Sequence, residues 1–185
     1  MSAANAEKLS PVYSQKDPLF SLRTKLDTFY FLYCVLHLVI TCLIDIVLVV
    51  PREYLTEFQL NLINFHISEY KDFLLQDPPK WLVLFGWVEV LFQLPLFLFG
   101  AISLYQRRSK VYPYLFVYGI EASLTTLVCM VVIALNGEAH GMTTEEIQKL
   151  EMLYSPILAI SVFLSVDMLF NRIWYDSTTT EKKQI

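Results

Sequence analysis

The long apolar stretches of this sequence lack basic residues. Of the 14 lysines and arginines, only Arg172 falls inside such a stretch, close to its end. Cysteines are few (3), and Cys34, Cys42 and Cys129 all lie within apolar stretches, so a disulfide framework outside the membrane is excluded. Gly-rich phosphate loops, Cys-x-x-Cys pairs and zinc-spaced histidines are also absent. We therefore expect no cofactor, no metal and no nucleic-acid partner.

Apolar residues dominate the sequence. They make up 55% of the 185 residues, above the share of about 45–50% that is usual in soluble domains. The mean hydropathy is +0.47. Four stretches are each long enough to cross a bilayer as a helix, for which about 20 residues are needed. They are residues 29–50, 81–104, 111–135 and 152–175. The sequence predicts an all-α membrane protein, a four-transmembrane-helix bundle whose membrane domain spans residues 29–175.

The distribution of bases predicts the orientation of this bundle. Ten of the 14 bases lie in the N-terminal segment 1–28, the loop 105–110 and the C-terminal end. By the positive-inside rule these parts are cytoplasmic. We therefore predict a polar cytoplasmic tail over residues 1–28, a second cytoplasmic tail over residues 176–185, and both termini on the cytoplasmic side.

The segment between the first two spans is too charged to cross a membrane. Its apolar residues recur every three or four positions, at Leu55, Phe58, Leu62 and Phe65, which is typical of an amphipathic helix. Thr56 and Gln59 are spaced as a helix-capping box, and Thr143 and Glu146 before the last span are spaced in the same way. We expect an amphipathic helix lying on the lumenal interface.

Each of the four spans contains one acidic residue: Asp45, Glu89, Glu121 and Asp167. A charged side chain at bilayer depth costs roughly 2.5–3.5 kcal/mol on insertion scales, so such residues are candidate functional groups. At a rise of 1.5 Å per residue, Asp45 and Glu89 lie about 8 and 12 Å from the same end of the bundle. The two carboxyl groups are therefore predicted to lie at nearly the same depth.

Polar residues share a helix face with these acids. His37 and Thr41 precede Asp45 at helical spacing, Gln93 follows Glu89 by one turn, and Tyr118 and Thr125 flank Glu121. Tyr154 lies on the polar side of the last span. The candidate ligand-binding residues are therefore His37, Thr41, Asp45, Glu89, Gln93, Tyr118, Glu121, Thr125 and Tyr154.

Two kinds of chemistry suit acids in a cavity with aromatic walls. The acids bind an amine on an apolar skeleton through a charge-assisted bond and cation–π contacts, or they stabilise a carbocation formed during a lipid or sterol reaction. In the second case Glu89, Asp45 and His37 would be catalytic. A purely structural role is the alternative for each acid, above all for Asp167, which can pair with Arg172. We interpret His66 and His140 as surface residues.

The ordered set of motifs through the first two spans supports the binding interpretation. His37, Thr41 and Asp45 precede Pro-Arg-Glu at 51–53, Lys-Asp at 71–72, Leu-Leu-Gln at 74–76 and Pro-Pro at 78–79, and Glu89 precedes Phe-Gln-Leu-Pro at 92–95. This set resembles the sigma-2 receptor branch of the EXPERA family, which also contains the emopamil-binding sterol isomerase. Thr125, Thr126, Tyr154 and Pro156 continue the resemblance, whereas Glu121 departs from it.

The resemblance implies a multi-pass protein of the endoplasmic reticulum membrane, a homodimer, whose pocket opens from the bilayer to sterols, oxysterols or amphiphilic amines. In such a pocket the acid at Glu89 pairs with the ligand amine and Asp45 supports it. Lys182 and Lys183 resemble a dilysine retrieval signal read by coat proteins. We expect a non-enzymatic sterol-binding protein linked to sterol homeostasis or trafficking. The alternatives are a sterol double-bond isomerase and a membrane chaperone or trafficking factor.

Overall fold

A computed structural model describes the backbone of residues 18–174 and the side chains of residues 23–173. Within this part of the chain all regular structure is helical. Four helical stretches are long and apolar enough to span a membrane: Arg23–Leu48, Lys80–Tyr105, Ser109–Asn136 and Thr144–Ile173. The predicted all-α, four-span architecture is confirmed. Most of the two predicted tails, including the dilysine pair Lys182 and Lys183, lies outside the described residues.

Seven α-helices build these stretches and the segment between the first two. Short 3₁₀ turns follow the first helix at Asp45–Leu48 and connect other elements at Arg52–Tyr54, Ser109–Val111 and Glu138–His140. Two π-helical segments, Glu89–Gln93 and Asp167–Trp174, interrupt or extend the spans. The helices are α1 (Pro18–Leu43), α2 (Glu57–Tyr70), α3 (Phe73–Gln76), α4 (Lys80–Val88), α5 (Leu94–Tyr105), α6 (Tyr112–Asn136) and α7 (Thr144–Val166).

Helix α1 begins at Pro18, within the segment predicted to be a tail. Proline is tolerated in the first turn of a helix, where its missing N–H costs no hydrogen bond. Further along, Asp27 Oδ1 lies 2.9 Å from Nη1 of the buried Arg172, on the last span. Hydropathy does not register this ion pair, so it does not predict that the helix starts before the apolar stretch.

The amphipathic helix and both capping boxes predicted from sequence are confirmed. In α2 the Thr56 N–H donates to Gln59 Oε1 (3.0 Å) and the Gln59 N–H donates to Thr56 Oγ1 (3.3 Å). The same reciprocal pair at Thr143 and Glu146 starts α7. The buried residue of α2 is Ile63, whereas Phe58 and Phe65 are exposed. This division fits a helix lying at a membrane surface.

The spans pack as two helix pairs, α1 with α5 and α6 with α7. Gly119 allows the second pair to approach closely, since a Cβ at this position would lie 2.9 Å from the Ser161 carbonyl oxygen. Ser123 and Ser161 then form a hydrogen bond of 3.0 Å across the pair. Small residues and hydroxyl pairs of this kind favour helix association in lipid. Two apolar clusters fill the bundle, one around Phe97 and Leu115 and one around Ile133 and Leu150.

Candidate ligand-binding site

Glu89 stands where the second span changes its helical pitch. Helix α4 ends at Val88, and residues Glu89–Gln93 form a π-helical segment in which the Leu94 N–H donates to the Glu89 carbonyl. Pro95 follows at once and has no N–H to donate, so the regular α-helical bonding is already interrupted at this point. Single π-helical turns of this kind occur frequently at functional sites.

A cavity of ≈ 120 Å³ lies beside this segment, between the two apolar clusters. Six of the nine candidate ligand-binding residues line it, contributed by α1, the interrupted second span, α6 and α7. They are His37, Glu89, Gln93, Tyr118, Thr125 and Tyr154. The remaining wall is apolar, apart from Thr126, and comprises Leu48, Leu75, Leu82, Phe85, Ala122, Cys129 and Ile157.

Asp45 and Thr41 stand behind the cavity wall. The Thr41 hydroxyl donates to Asp45 Oδ2 (2.9 Å), which is consistent with their spacing on one helix face. The turn that begins at Asp45 packs against the π-helical segment that begins at Glu89. Gly86 makes this approach possible, because a Cβ there would lie 2.8 Å from Leu48 Cβ. Asp45 and Glu89 each begin one of these two packed segments, which fits the predicted common depth.

Glu121 reaches the cavity through Gln93. The Gln93 Nε2 donates to Glu121 Oε2 over 2.6 Å, and the charge of Glu121 acts on Glu89 together with that of Asp45. The second oxygen, Glu121 Oε1, is buried without a hydrogen-bond partner among the described residues. Glu121 takes one N–H of the Gln93 amide group, so the second N–H and the carbonyl oxygen of Gln93 can bind a ligand.

Aromatic rings surround the cavity and hold its polar groups in place. The Tyr118 and Tyr33 hydroxyl groups are 2.9 Å apart. The His37 ring lies 4.1 Å from the Tyr33 ring and 5.6 Å from the Phe97 ring, measured between centroids. Of these rings, those of Tyr118 and His37 line the cavity and can contact a cation, and the tilted packing fixes the orientation of His37.

Sequence reasoning missed the supporting role of Asp72. This residue is fully buried and accepts hydrogen bonds from Leu74 N–H (3.0 Å), Leu75 N–H (3.3 Å) and the Tyr154 hydroxyl (3.0 Å). His66 Nε2 lies 3.1 Å from Asp72 Oδ2. The interpretation of His66 as an ordinary surface residue is therefore wrong, because this contact half-buries it. The signal in the sequence was an Asp directly before a short apolar helix, which is a typical N-cap.

Asp167 belongs to a different cluster, away from the cavity lining. Arg172 Nε lies 3.3 Å from Asp167 Oδ2, which confirms the alternative of an internal ion pair. The Tyr30 hydroxyl also donates to Asp167 Oδ2 (3.1 Å), and Asp27 completes the group.

Of the remaining histidines, His140 is exposed and stacks on Phe73. Within residues 23–173 no group of acidic, His and Cys side chains is arranged to bind a metal.

The sequence is similar to a known protein family and to several characterised proteins. The family model described as "EBP: EXPERA (EXPanded EBP superfamily)" matches residues 58–168. The chain is 35% identical over 116 residues to "Efficient mitochondria targeting-associated protein 19" of Saccharomyces cerevisiae, covering 59% of this chain and 72% of that protein. It is 33% identical over 134 residues to "Sigma intracellular receptor 2" of Homo sapiens (71% and 75% covered). Identity to the Xenopus tropicalis protein of the same name is 28% over 153 residues (79% and 89% covered).

Proposed function

Because the chain belongs to the EXPERA family, we propose that this multi-pass membrane protein binds a sterol, an oxysterol or a hydrophobic amine in its intramembrane cavity. Glu89 is the proposed anchor for the polar end of the ligand, and Gln93, Tyr118, Thr125, Tyr154 and His37 surround that end. Asp45, Thr41 and Glu121 act from behind the wall. The biological role that we propose is in sterol homeostasis or trafficking.

The position of Glu89 carries this proposal. Its carboxyl group lines a cavity in the membrane-spanning part of the protein, the described lining residues include no lysine or arginine, and Asp45 and Glu121 lie near it. Three acids with no lysine or arginine beside them favour a cation or a hydrogen-bond donor. An amine would satisfy this preference through a charge-assisted bond to Glu89, and a sterol hydroxyl through a neutral one.

The size of the cavity limits how a ligand would lie. Pockets for complete drug-sized ligands measure about 300–1,000 Å³, whereas this cavity measures ≈ 120 Å³. It therefore accommodates the polar end of a sterol or amine, and the rest of the skeleton would extend between the helices. Leu82, Phe85 and Ile157, which line the cavity, would contact the apolar part of the ligand next to its polar end.

The test uses two ligands with one skeleton. Cholesterylamine and cholesterol differ in the group at the same ring position, and both are titrated into the purified full-length protein. We expect Glu89→Gln to weaken cholesterylamine binding about tenfold or more, since a hydrogen bond to a charged group contributes about 1.5–3 kcal/mol, and to weaken cholesterol binding less. Glu57→Gln, at the exposed start of α2, is the matched control. Unchanged amine affinity in Glu89→Gln would exclude Glu89 as the anchor.

The name of the yeast relative favours a second candidate, a trafficking factor that acts through protein contacts. That name associates the relative with efficient targeting to mitochondria. The corresponding test expresses this chain in yeast that lacks the relative and follows import of a mitochondrial reporter protein. Rescue by the wild type and equally by Glu89→Gln would favour the protein-contact role over the binding role.

The isomerase alternative makes a separate prediction. Glu89 would protonate a sterol double bond, and Asp45 with His37 would stabilise the cation and remove a proton. Of these three residues, Glu89 and His37 line the cavity and Asp45 lies behind it. Rescue of cells that lack sterol isomerase activity would favour the enzyme, whereas failure of a well-expressed chain to rescue them would favour the binding protein.

Location and assembly complete the proposal. We place the protein in the endoplasmic reticulum membrane, as a homodimer with both termini in the cytoplasm and with Lys182 and Lys183 read by coat proteins. A glycosylation reporter at the C-terminus should stay unmodified, and the same reporter in the 137–143 loop should be modified. Replacing both lysines with serine should move the protein out of the endoplasmic reticulum. Crosslinking in intact membranes measures the oligomeric state.

A further inference from the structure

A second cavity, of ≈ 320 Å³, opens between the start of α1 and the end of α5. It shares no lining residue with the cavity at Glu89, and it lies at the end of the bundle that carries the short loop 105–110. Its wall combines polar and apolar groups. The lining residues are Thr24, Asp27, Thr28, Phe31, Leu104, Tyr105 and Arg107.

Arg107 has an unusual backbone conformation for its residue type. Its φ is 54°, in the left-handed region, because it occupies the position after the helix end that glycine normally fills. The Arg107 N–H donates to the Leu104 carbonyl (3.0 Å), and the Arg108 N–H donates to the Ser103 carbonyl (2.8 Å), which together form a Schellman cap. Residues other than glycine that are held in this conformation cluster at ligand sites. The cap fixes the Arg107 backbone at the cavity.

Asp27, the acid among the described residues that line this cavity, is already paired. Asp27 Oδ1 lies 2.9 Å from Arg172 Nη1, and the Tyr112 hydroxyl donates to Asp27 Oδ2 (3.3 Å). Arg23 is a second base near Asp27, and its charge balances that of Asp167, the second acid of this cluster. Arg107, in contrast, has no acidic partner within residues 23–173. Its guanidinium is thus the surplus charge of the cavity and is available to an anion.

The other walls indicate what kind of anion fits. Phe31 and Tyr105 pack with their ring centroids 6.1 Å apart, and together with Leu104 they form the apolar part of the cavity wall, along which an apolar chain can lie. The Tyr105 hydroxyl supplies a second donor at an exposed position. Lys25, Arg108 and Lys110 are exposed at the same end and raise its positive potential. Basic pockets between membrane helices bind lipid head groups in this way.

We propose that this second cavity binds the phosphate head group of an anionic membrane lipid. The Arg107 guanidinium donates to the phosphate oxygens, where its planar set of N–H groups matches two oxygens at once. The acyl chains lie along Phe31 and Leu104, between α1 and α5. A free phosphate ion would use the same donors but would leave the apolar wall unoccupied.

The experiment measures binding of three matched probes to the purified full-length protein: dioctanoyl phosphatidic acid, dioctanoylglycerol and inorganic phosphate. We expect phosphatidic acid to bind, dioctanoylglycerol to bind far more weakly because it lacks the charge, and inorganic phosphate to bind far more weakly because it lacks the chains. Equal affinity of phosphatidic acid and dioctanoylglycerol would exclude a head-group site. Equal affinity of phosphatidic acid and inorganic phosphate would exclude the lipid as the occupant.

Two arginine variants separate the site from general surface charge. Arg107→Gly removes the guanidinium but suits the left-handed backbone, so the unfolding temperature should stay the same or rise. Its affinity for phosphatidic acid should fall about tenfold or more. Arg108→Gln removes the same charge from a neighbour outside the cavity lining and should reduce affinity no more than about fivefold. Equal losses in the two variants would show that only surface charge acts here.

Discussion

Gln93 and Glu121 are joined by a hydrogen bond of 2.6 Å that connects the interrupted second span to α6. One oxygen of Glu121 accepts from the Gln93 amide, and the other is buried without a partner among the described residues. This pair brings an acid of the third span into contact with the cavity wall, although Glu121 does not line the cavity itself.

The first prediction tests this pair with a double-mutant cycle. Gln93→Met should lower the free energy of unfolding by about 2 kcal/mol, because it leaves a buried carboxyl group with no hydrogen bond. In the double variant with Glu121→Met, no polar group is left unsatisfied, so most of that loss should be recovered. Unfolding of the purified variants in detergent measures both values. Additive losses would show that the two side chains do not interact.

The second prediction concerns Asp72, which caps α3 and holds Tyr154 at the cavity. Asp72→Ala removes the acceptor for four donors, counting the His66 contact, and should lower the free energy of unfolding by about 3 kcal/mol or more. Tyr154→Phe removes one of these bonds and should cost only about 1 kcal/mol. If the two variants are equally stable, Asp72 does not organise this end of the bundle.

The third prediction uses two glycines in the second span. Gly86→Ala places a Cβ 2.8 Å from Leu48 Cβ and should push the Asp45 turn away from Glu89, costing about 1–3 kcal/mol and weakening amine binding. Gly100→Ala is the control, since its Cβ would lie 3.4 Å from Cys34 Sγ, an ordinary contact. Thermal unfolding and cholesterylamine titration of both variants provide the comparison. Equal behaviour of the two would contradict a close approach at Gly86.

The fourth prediction compares a buried ion pair with an exposed one. Arg172 is 1% exposed, and removing it as Arg172→Met leaves Asp27 and Asp167 buried without their cation, so stability should fall by about 3–5 kcal/mol. Lys149 and Glu69 are 2.5 Å apart but about half exposed, so Lys149→Met should leave stability unchanged. Chemical unfolding of the two variants in parallel tests the contrast. A large loss in Lys149→Met would contradict it.

Local patterns predicted the features that depend on nearby residues. The four spans follow from apolar length, the capping boxes at Thr56 and Thr143 from residue spacing, and the common helix face of Thr41 and Asp45 from helical periodicity. The start of α1, the environment of His66 and the role of Asp72 did not follow. Each depends on a partner far along the chain, such as Arg172 for Asp27 and Tyr154 for Asp72.

The sequence by itself determined that this is a four-span membrane protein with one acid in each span, because apolar length and charge are properties of the chain alone. Only the tertiary structure decided how those acids differ. Packing places Glu89 in a cavity wall, sets Asp45 and Glu121 behind it, and pairs Asp167 with Arg172. The physical reason is that a buried charge is stabilised or left open by groups that only the packing of distant helices brings near.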